Sequence, residues 1–359
     1  MDLKENIVLD LLDVYEREIR KHCKNKRKVY LFECYKMSYM SEIRDVLVSH
    51  KHYSCKYSIF LIFEPKVRVV MSLPIKDKVF NHYVTRFILI PKLEKYLDIR
   101  NAATRKGMGT EYARKLFRKH LVLNKSKKFY ILKLDISKYF YSIDHEVLKS
   151  LLKDKLDNDE YSLICDIIDS SNREYVNDRI SLLERKYGIE LPRYEYGKGL
   201  PIGNMTSQFL SIFYLYKLDH KIVHDYHIKC YVRYMDDFVL IHENKEYLEK
   251  IFLKIKNELE NIYKLKVNPK KSFIVGSDEG VPFLGIHYKI KNDRVVCYLP
   301  KKRKMEIRKK IKRNAFLFLN HEKSIESMYS SRQCFYYGFS VSRKFLRNEV
   351  LNVEKSFLS

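Results

Sequence analysis

Tyr231-Val-Arg-Tyr-Met-Asp-Asp-Phe-Val-Leu-Ile241 decides the fold, because two adjacent acids interrupt a run of β-branched and aromatic residues. The pattern predicts two short strands between Cys230 and His242 that turn at Met235-Asp236. Neighbouring carboxylates at a tight turn repel each other and are costly to bury. A lone Asp-Asp turn is ordinarily a solvated hairpin tip, where water meets that cost. A divalent cation meets it as well: magnesium takes oxygen ligands and binds through one or two carboxylates plus substrate phosphates. A third carboxylate from elsewhere is then expected. Asp135 supplies one, at the end of the predicted strand Lys128-Phe-Tyr-Ile-Leu-Lys-Leu-Asp-Ile136. Two ions held this way clamp an in-line phosphoryl displacement, one activating a primer 3′-hydroxyl and the other stabilising the leaving pyrophosphate.

Working outward, residues 1 to 50 read as one or two helices, and residues 57 to 73 as two strands joined at Glu64-Pro65-Lys66. Helical periodicity returns from Ile75 to Tyr96. After a break at Lys106-Gly-Met-Gly109 it continues to Leu123. A helix is expected from Asp144 to Leu152 and a long apolar one from Ser207 to His224, entered through Gly197-Lys-Gly-Leu-Pro-Ile-Gly203. Another runs from Lys245 to Tyr263, followed by strands between Phe273 and Leu299 and a very basic helical end. Strands and helices mix without βαβ regularity, which argues for α+β.

In order and spacing these segments resemble the reverse transcriptase family. Lys133-Leu-Asp-Ile-Ser-Lys-Tyr-Phe-Tyr-Ser-Ile-Asp-His145 looks like its motif A. Gly199-Leu-Pro-Ile-Gly-Asn-Met-Thr-Ser-Gln208 resembles motif B and Tyr234-Met-Asp-Asp237 motif C. Leu265-Lys-Val-Asn-Pro-Lys-Lys-Ser272 is similar to motif D and Phe283-Leu-Gly285 to motif E. The resemblance implies that Asp135 and Asp236 are the principal metal ligands and Asp237 the third acid. It makes Phe140 the ring under the sugar that excludes a 2′-hydroxyl, and Lys271 the donor of a proton or charge to departing pyrophosphate. From the residues alone, Phe140 is equally a core ring and Lys270-Lys271 equally a solvated turn. Pro65-Lys66-Val67-Arg68 looks like the family's fingers hairpin, whose Lys and Arg grip the incoming triphosphate. Strand alternation puts Lys66 and Arg68 on one face, although two cations on a surface strand need no such task.

Motif B departs from its commonest form, in which a Gln precedes the Gly and a Pro follows the Ser. Here Ile202 precedes Gly203, and Gln208 follows Ser207. The loop is expected to press its backbone against the templating pair, so Ile202, Gly203 and Gln208 count as nucleotide contacts that bear on fidelity or substrate choice. This form resembles the reverse transcriptases of bacterial diversity-generating retroelements, which copy a template RNA into mutagenised cDNA. Phage-defence reverse transcriptases share parts of it. Phe63-Glu-Pro-Lys-Val-Arg68, Asp77-Lys-Val79 and Lys106-Gly-Met-Gly-Thr110 are also similar to the retroelement enzymes.

Charge points to the same kind of partner. Lys and Arg number 70 against 45 acids in 359 residues, a net +25 that an anionic polymer would neutralise. With 29 Tyr and 20 Phe, rings for stacking on bases accompany those cations. A Lys-rich compositional bias is the plainer explanation of the charge alone. Lys301 to Arg313 carries nine cations and one acid, with Met305, Ile307 and Ile311 as apolar contacts. The resemblance makes this a thumb helix tracking the template-primer backbone, with Lys301, Lys302, Arg303 and Arg308 joining Phe283, Leu284 and Gly285 as primer or template contacts. Phe335-Tyr-Tyr-Gly-Phe339 is expected to close the helical bundle rather than stack on bases. Seven scattered Cys without a C-x-x-C pair suggest neither disulfides nor zinc, and no signal core or membrane span is read, so a cytoplasmic, membrane-independent protein is expected.

The expectation is therefore an α+β, right-handed polymerase. It has a helical leader over 1–49 and fingers over 50–130. A palm over 131–290, an antiparallel sheet backed by helices, carries motifs A to E and a helical insertion at about 150–200. A basic helical thumb spans 291–359. Its function would be RNA-directed DNA synthesis from dNTPs with two Mg2+ ions, for which Mn2+ can substitute. Its partners would be a structured template RNA, the RNA/DNA hybrid and a small accessory protein. The rival readings are a defence enzyme making repetitive or untemplated DNA, and a non-catalytic RNA-binding scaffold of the same fold. No RNase H-like acids follow, so template removal is expected to need other proteins.

Overall fold

A computed structural model describes residues 3–49, 55–63 and 66–328, with positions 330, 348, 351 and 352 beyond them. The chain forms two units, each gathered from three stretches. The first takes Met1–Thr104, Asp135–His227 and Phe252–Asn268, and the second Arg105–Leu134, Ile228–Ile251 and Pro269–Ser359.

In the first unit the strands expected over 57 to 73 form an antiparallel hairpin, Ser58–Ile62 (β1) with Arg68–Ser72 (β2), in register from Ser58↔Ser72 to Ile62↔Arg68. Glu64 and Pro65 at its tip lie outside the described residues. The leader holds helices Leu3–Val14, Lys26–Cys34 and Lys36–Ser49, one more than expected, because a π-helical turn at Tyr15–Ile19, a break at Cys23–Asn25 and a further one at Tyr35 divide it. The Ile75–Tyr83 helix continues through a wide π turn, Val84–Leu89, in which the Ile90 N–H bonds the Thr85 carbonyl five residues back. Pro91 explains the widening: it donates no N–H, and its ring would collide with the carbonyl four residues earlier in a regular ladder.

Within residues 150–200 the chain forms helices Asn158–Asp169 and Glu174–Tyr187. Asp157 and Glu160 form a capping box at the start of the first, and Gly188 in the left-handed region (φ +63°) ends the second. The apolar helix expected over Ser207 to His224 is split at Leu215 into Met205–Tyr214 and Tyr216–His224, with no Gly or Pro to mark the break. Phe209, Leu210, Ile212, Phe213 and Tyr214 are all buried on the first of these. At about 1.5–3 kcal/mol per buried large apolar side chain, they anchor the unit's core.

The second unit carries a four-stranded sheet ordered β4-β5-β3-β6, from Tyr130–Asp135 (β3), Cys230–Tyr234 (β4), Asp237–His242 (β5) and Phe273–Gly276 (β6). β4 pairs β5 and β3 pairs β6, both antiparallel. The Thr110–Asn124 helix packs on β4, burying Ala113, Phe117, His120 and Leu121 at helical spacing. An antiparallel meander of Val281–Phe283 (β7), Ile286–Lys291 (β8) and Arg294–Tyr298 (β9) follows. Its second turn is Asn292-Asp293, both at positive φ, the residue types a two-residue hairpin loop favours. The basic helix is Lys301–Leu319, anchored by buried Ile307 and Ile311 four residues apart. Met305, expected to join them, is 55% exposed because it sits on the opposite face. The aromatic cluster Phe335 to Phe339 lies outside the described residues.

Candidate active site

The Asp236-Asp237 turn belongs to the second unit. Tyr234 and Asp237 close the β4–β5 ladder, leaving Met235-Asp236 as the two-residue loop. Met235 sits at φ +58°, where such loops ordinarily use Gly or Asn, a conformation costing about 1–3 kcal/mol that the surroundings must hold. Arg233 does so. Its guanidinium is fully buried, donates to the Met235 carbonyl at 3.1 Å and lies 5.7 Å from the Phe238 ring centre. Lys133, buried in β3, brings its ammonium onto Asp237 Oδ1 and 5.1 Å from the centre of the Phe283 ring. One cation thus stands against an acid pair whose mutual repulsion is its chief cost, and a second holds the backbone of the turn that presents it. β3 neighbours β5 in the sheet, and its last residue is Asp135.

Asp135 begins the second stretch of the first unit and is 8% exposed. Asn268 grips it twice: its backbone N–H donates to the Asp135 carbonyl at 2.8 Å, and its Nδ2 to Oδ1 at 3.2 Å. Past Asp135 the chain turns through Lys138, at φ +46°, into the short helix Tyr139–Ser142. Tyr139 is buried, its hydroxyl donating to the Ser211 carbonyl at 2.5 Å, while Phe140 is half-buried and edge-on to Tyr139 at 6.0 Å.

Motif B is laced to this turn by backbone. The Leu200 N–H donates to the Phe140 carbonyl (2.7 Å) and the Gly199 N–H to the Ile143 carbonyl (2.8 Å), while the Gly199 carbonyl accepts from His145 Nε2 (2.7 Å) and Ser171 Oγ (2.8 Å). On its other side the Met71 N–H of β2 donates to the Ile202 carbonyl at 2.8 Å. Gly203, at φ +130°, has no room for a side chain: a Cβ would stand 2.5 Å from the Met71 carbonyl oxygen. Ile202 and Gln208 are half-buried. Tyr141 lies within the electrostatic reach of Arg68. Burial pushes its phenol up to about 12, against the opposing effects of the Val69 backbone and the Arg68 charge.

The first unit therefore gathers Arg68, Phe140, Ile202 and Gly203 around one backbone network. Lys66 and Arg68 are exposed, and neither has a carboxylate partner among the described residues. β2 starts only at Arg68, so Lys66 stands in the loop before the ladder and strand alternation does not align the two. In the second unit Lys271 is exposed in the turn before β6. Phe283, expected against primer or template, is instead 1% exposed, packed edge-on to Phe117 at 5.2 Å. An inward position on β7 gives it the role of carrying the next turn. That turn, Leu284-Gly285, has both residues at positive φ and is gripped by half-buried Arg114, whose Nε and Nη2 donate to the Leu284 carbonyl. Lys301, Lys302 and Arg308 are exposed on the basic helix, and Arg303 is half-buried, paired with Glu306 at 2.9 Å.

Lys133, Arg233, Asn268 and His145 were not singled out as functional from sequence. The available signal was a balance of charge: a buried Asp, or two acids at one turn, requires donors, and each of these residues lies within or beside a quoted motif.

A family model described as reverse transcriptase (RNA-dependent DNA polymerase) matches residues 64–288. No curated protein matches the chain. Among solved structures, apo telomerase from Candida tropicalis truncated of its C-terminal domain is 18% identical, with 67% of this chain and 54% of that one covered at a TM-score of 0.46. A second apo telomerase structure from Candida tropicalis is 16% identical, with 68% and 49% covered at 0.47. The chain spans about half the length of those two structures. The family match covers more than half of the sequence and includes Asp135, Asp236 and Asp237, so this chain belongs to the reverse transcriptase family and has its α+β polymerase fold.

Proposed function

We propose that the chain is an RNA-directed DNA polymerase that joins dNTPs to a primer 3′-end by nucleotidyl transfer. The observation that carries this reading is the Asp236-Asp237 turn, braced by buried Arg233 and Lys133 on a strand pair beside β3, within the residues that match the family. Asp135, Asp236 and Asp237 would hold two Mg2+ ions, or Mn2+ in their place; the hard oxygen donors of this set fit such ions. When bound, the ions supply charge for the attacking and leaving oxygens. Asn268 keeps Asp135 in one rotamer, and Phe140 offers a half-exposed ring to the nucleotide sugar. Arg68 and Lys66 bind the triphosphate, and Lys271 offers charge to pyrophosphate. Leu284 and Gly285, with Lys301, Lys302, Arg303 and Arg308, hold primer and template, while Phe283 supports their turn from below.

In this reading the fingers run over 50–130, the palm over 131–290 and the thumb from 291. No helix among the described residues is long and apolar enough to cross a membrane. The six described cysteines form no disulfide, which suits a cytoplasmic setting. The motif B form Ile202-Gly203…Ser207-Gln208 favours a diversity-generating retroelement, with a dedicated structured RNA as template and a small accessory protein as partner. Primer extension on RNA and DNA templates tests the activity: the wild type extends, and Asp236→Ala loses about a hundred- to a thousandfold or more, the scale of a removed charge-stabilising group. Equal extension by both refutes the catalytic assignment; a non-catalytic RNA-binding scaffold would instead keep full biological activity in Asp135→Asn. Product sequencing separates the pathways, since adenine-directed errors in a defined template mark a retroelement and repetitive or untemplated product marks a defence enzyme.

A further inference from the structure

We propose that Asp98, His220 and His224 form a binding site for a divalent transition-metal ion of the zinc class, with ligands different from the three acids assigned to catalysis. His220 and His224 are four residues apart on the Tyr216–His224 helix and so share one face. Their rings are nearly parallel, 13° apart with centres 5.8 Å from each other. Asp98 comes from the segment following the turn Glu94–Tyr96. One donor atom from each of the three lies within 4.8 Å of the other two. Small side-chain rotations bring such a set to the spacing of ligands about 2.0–2.2 Å from a shared ion. His224 is exposed and can make that rotation.

The outer contacts orient the ligands as a metal requires. The Tyr96 carbonyl can only accept, so the 2.7 Å contact to His220 Nε2 puts the proton there and the lone pair on Nδ1. A hydrogen bond from the non-ligating nitrogen to a carbonyl is the usual partner of a metal-bound imidazole. Asp98 is steadied by the Arg100 N–H on Oδ1 (2.7 Å) and by Arg100 Nη1, 3.1 Å from both oxygens. The Arg100 pair accounts for Asp98 without a metal, but not for two imidazoles gathered on the same carboxylate.

The segment is also tied down independently: Asn101 Nδ2 donates to the Ile212 carbonyl at 3.2 Å and to Asp219 Oδ2 at 3.3 Å. Two imidazoles with one carboxylate suit zinc and its neighbours and disfavour Mg2+, which prefers oxygen and retains its waters. Three protein ligands leave a fourth position for water. A bound ion would staple the segment at Asp98 to the helix that bears the two imidazoles.

The test is calorimetric titration of Zn2+ into the metal-stripped full chain under excess Mg2+, which saturates all-oxygen sites. One Zn2+ per wild-type chain is expected, with affinity at least about tenfold weaker in His224→Ala and in His220→Ala. Zinc should raise the melting temperature of the wild type and not of His224→Ala, a change at an exposed position that leaves the zinc-free melt unaltered. Co2+ in place of zinc should show d–d bands without a thiolate charge-transfer band. Equal zinc binding by wild type and His224→Ala, absence of stoichiometric binding, or a thiolate band would each overturn the proposal. Loss of extension in Asp236→Ala tests the polymerase reading separately, so either proposal can fail without the other.

Discussion

Lys133 and Arg233 are cations placed where a hydrophobic strand would be expected to exclude them: Lys133 answers Asp237, and Arg233 holds the Met235 carbonyl of the turn that presents the acids. Buried ion pairs are costly to break, because the partner left behind is uncompensated, by about 3–5 kcal/mol when fully desolvated. Asp237 keeps 21% of its side chain exposed, so the lower end of that range applies. Lys133→Met should destabilise the chain in EDTA by about 2–3 kcal/mol. Added Mg2+ should restore part of that loss, because a bound cation does for the acids what the ammonium did. Urea melts with and without Mg2+ measure both effects; a loss identical in the two conditions would mean that Lys133 serves packing alone. From the sequence the acids were legible and their counter-charges were not, since the partner of a buried charge is chosen by strand register, which no local pattern reports.

At the scale of elements, motif B is a backbone relay between β2 and the turn after Asp135, and Gly203 is its closest approach. Gly203→Ala must move the Met71 carbonyl or abandon φ +130°, so a loss above about 1 kcal/mol in stability is expected. A raised KM for dNTPs should accompany it, because Ile202 and Phe140 are attached to the same relay; thermal melts and steady-state kinetics on one preparation report both.

Asp144 caps the His145–Leu152 helix, accepting from the Val147 N–H at 3.0 Å and from Lys264 Nζ at 2.9 Å. Burial pushes its pKa up, but those two donors outweigh it and hold the carboxyl below its usual range. A depressed folded pKa means that this stabilisation is complete above the unfolded value of 3.8 and fades as pH falls through the lower folded one. Asp144→Ala should therefore cost about 0.5–2 kcal/mol at neutral pH and less at pH 3, in melts followed from pH 7 to 3. Helix positions, caps and the two hairpins could be read from periodicity and turn residues. The break at Leu215 could not, because no Gly, Pro or charge change marks it, and the start of β2 at Arg68 could not, because Pro65 marks the turn but not how far beyond it the ladder begins.

For the whole molecule, a net charge of +25 predicts affinity for any polyphosphate chain that falls with salt. Much of that charge is solvent-facing on the Lys301–Leu319 helix, whose buried contacts are Ile307 and Ile311. Replacing Lys302 and Arg308 with Gln should reduce the slope of log affinity against log salt by about one for each phosphate no longer neutralised, equally on different sequences. Fluorescence anisotropy across a salt series measures it, and an unchanged slope would remove this helix from the nucleic-acid track. Family and chemistry were legible at this scale, because motif order survives in the linear text. The grouping of the chain was not: the boundary between Leu134 and Asp135 falls inside a single strand.

That interleaving governs how the protein must be born. A ribosome releasing the chain from its N-terminus has delivered only part of the first unit when it reaches His227, and Phe252–Asn268 must still emerge before that unit is whole. Contacts of such long sequence separation fold slowly and leave apolar surface exposed meanwhile. The nascent chain should therefore depend on chaperones until residue 268 has cleared the exit tunnel. Dissection into fingers-only or palm-only fragments by contiguous ranges should yield insoluble pieces.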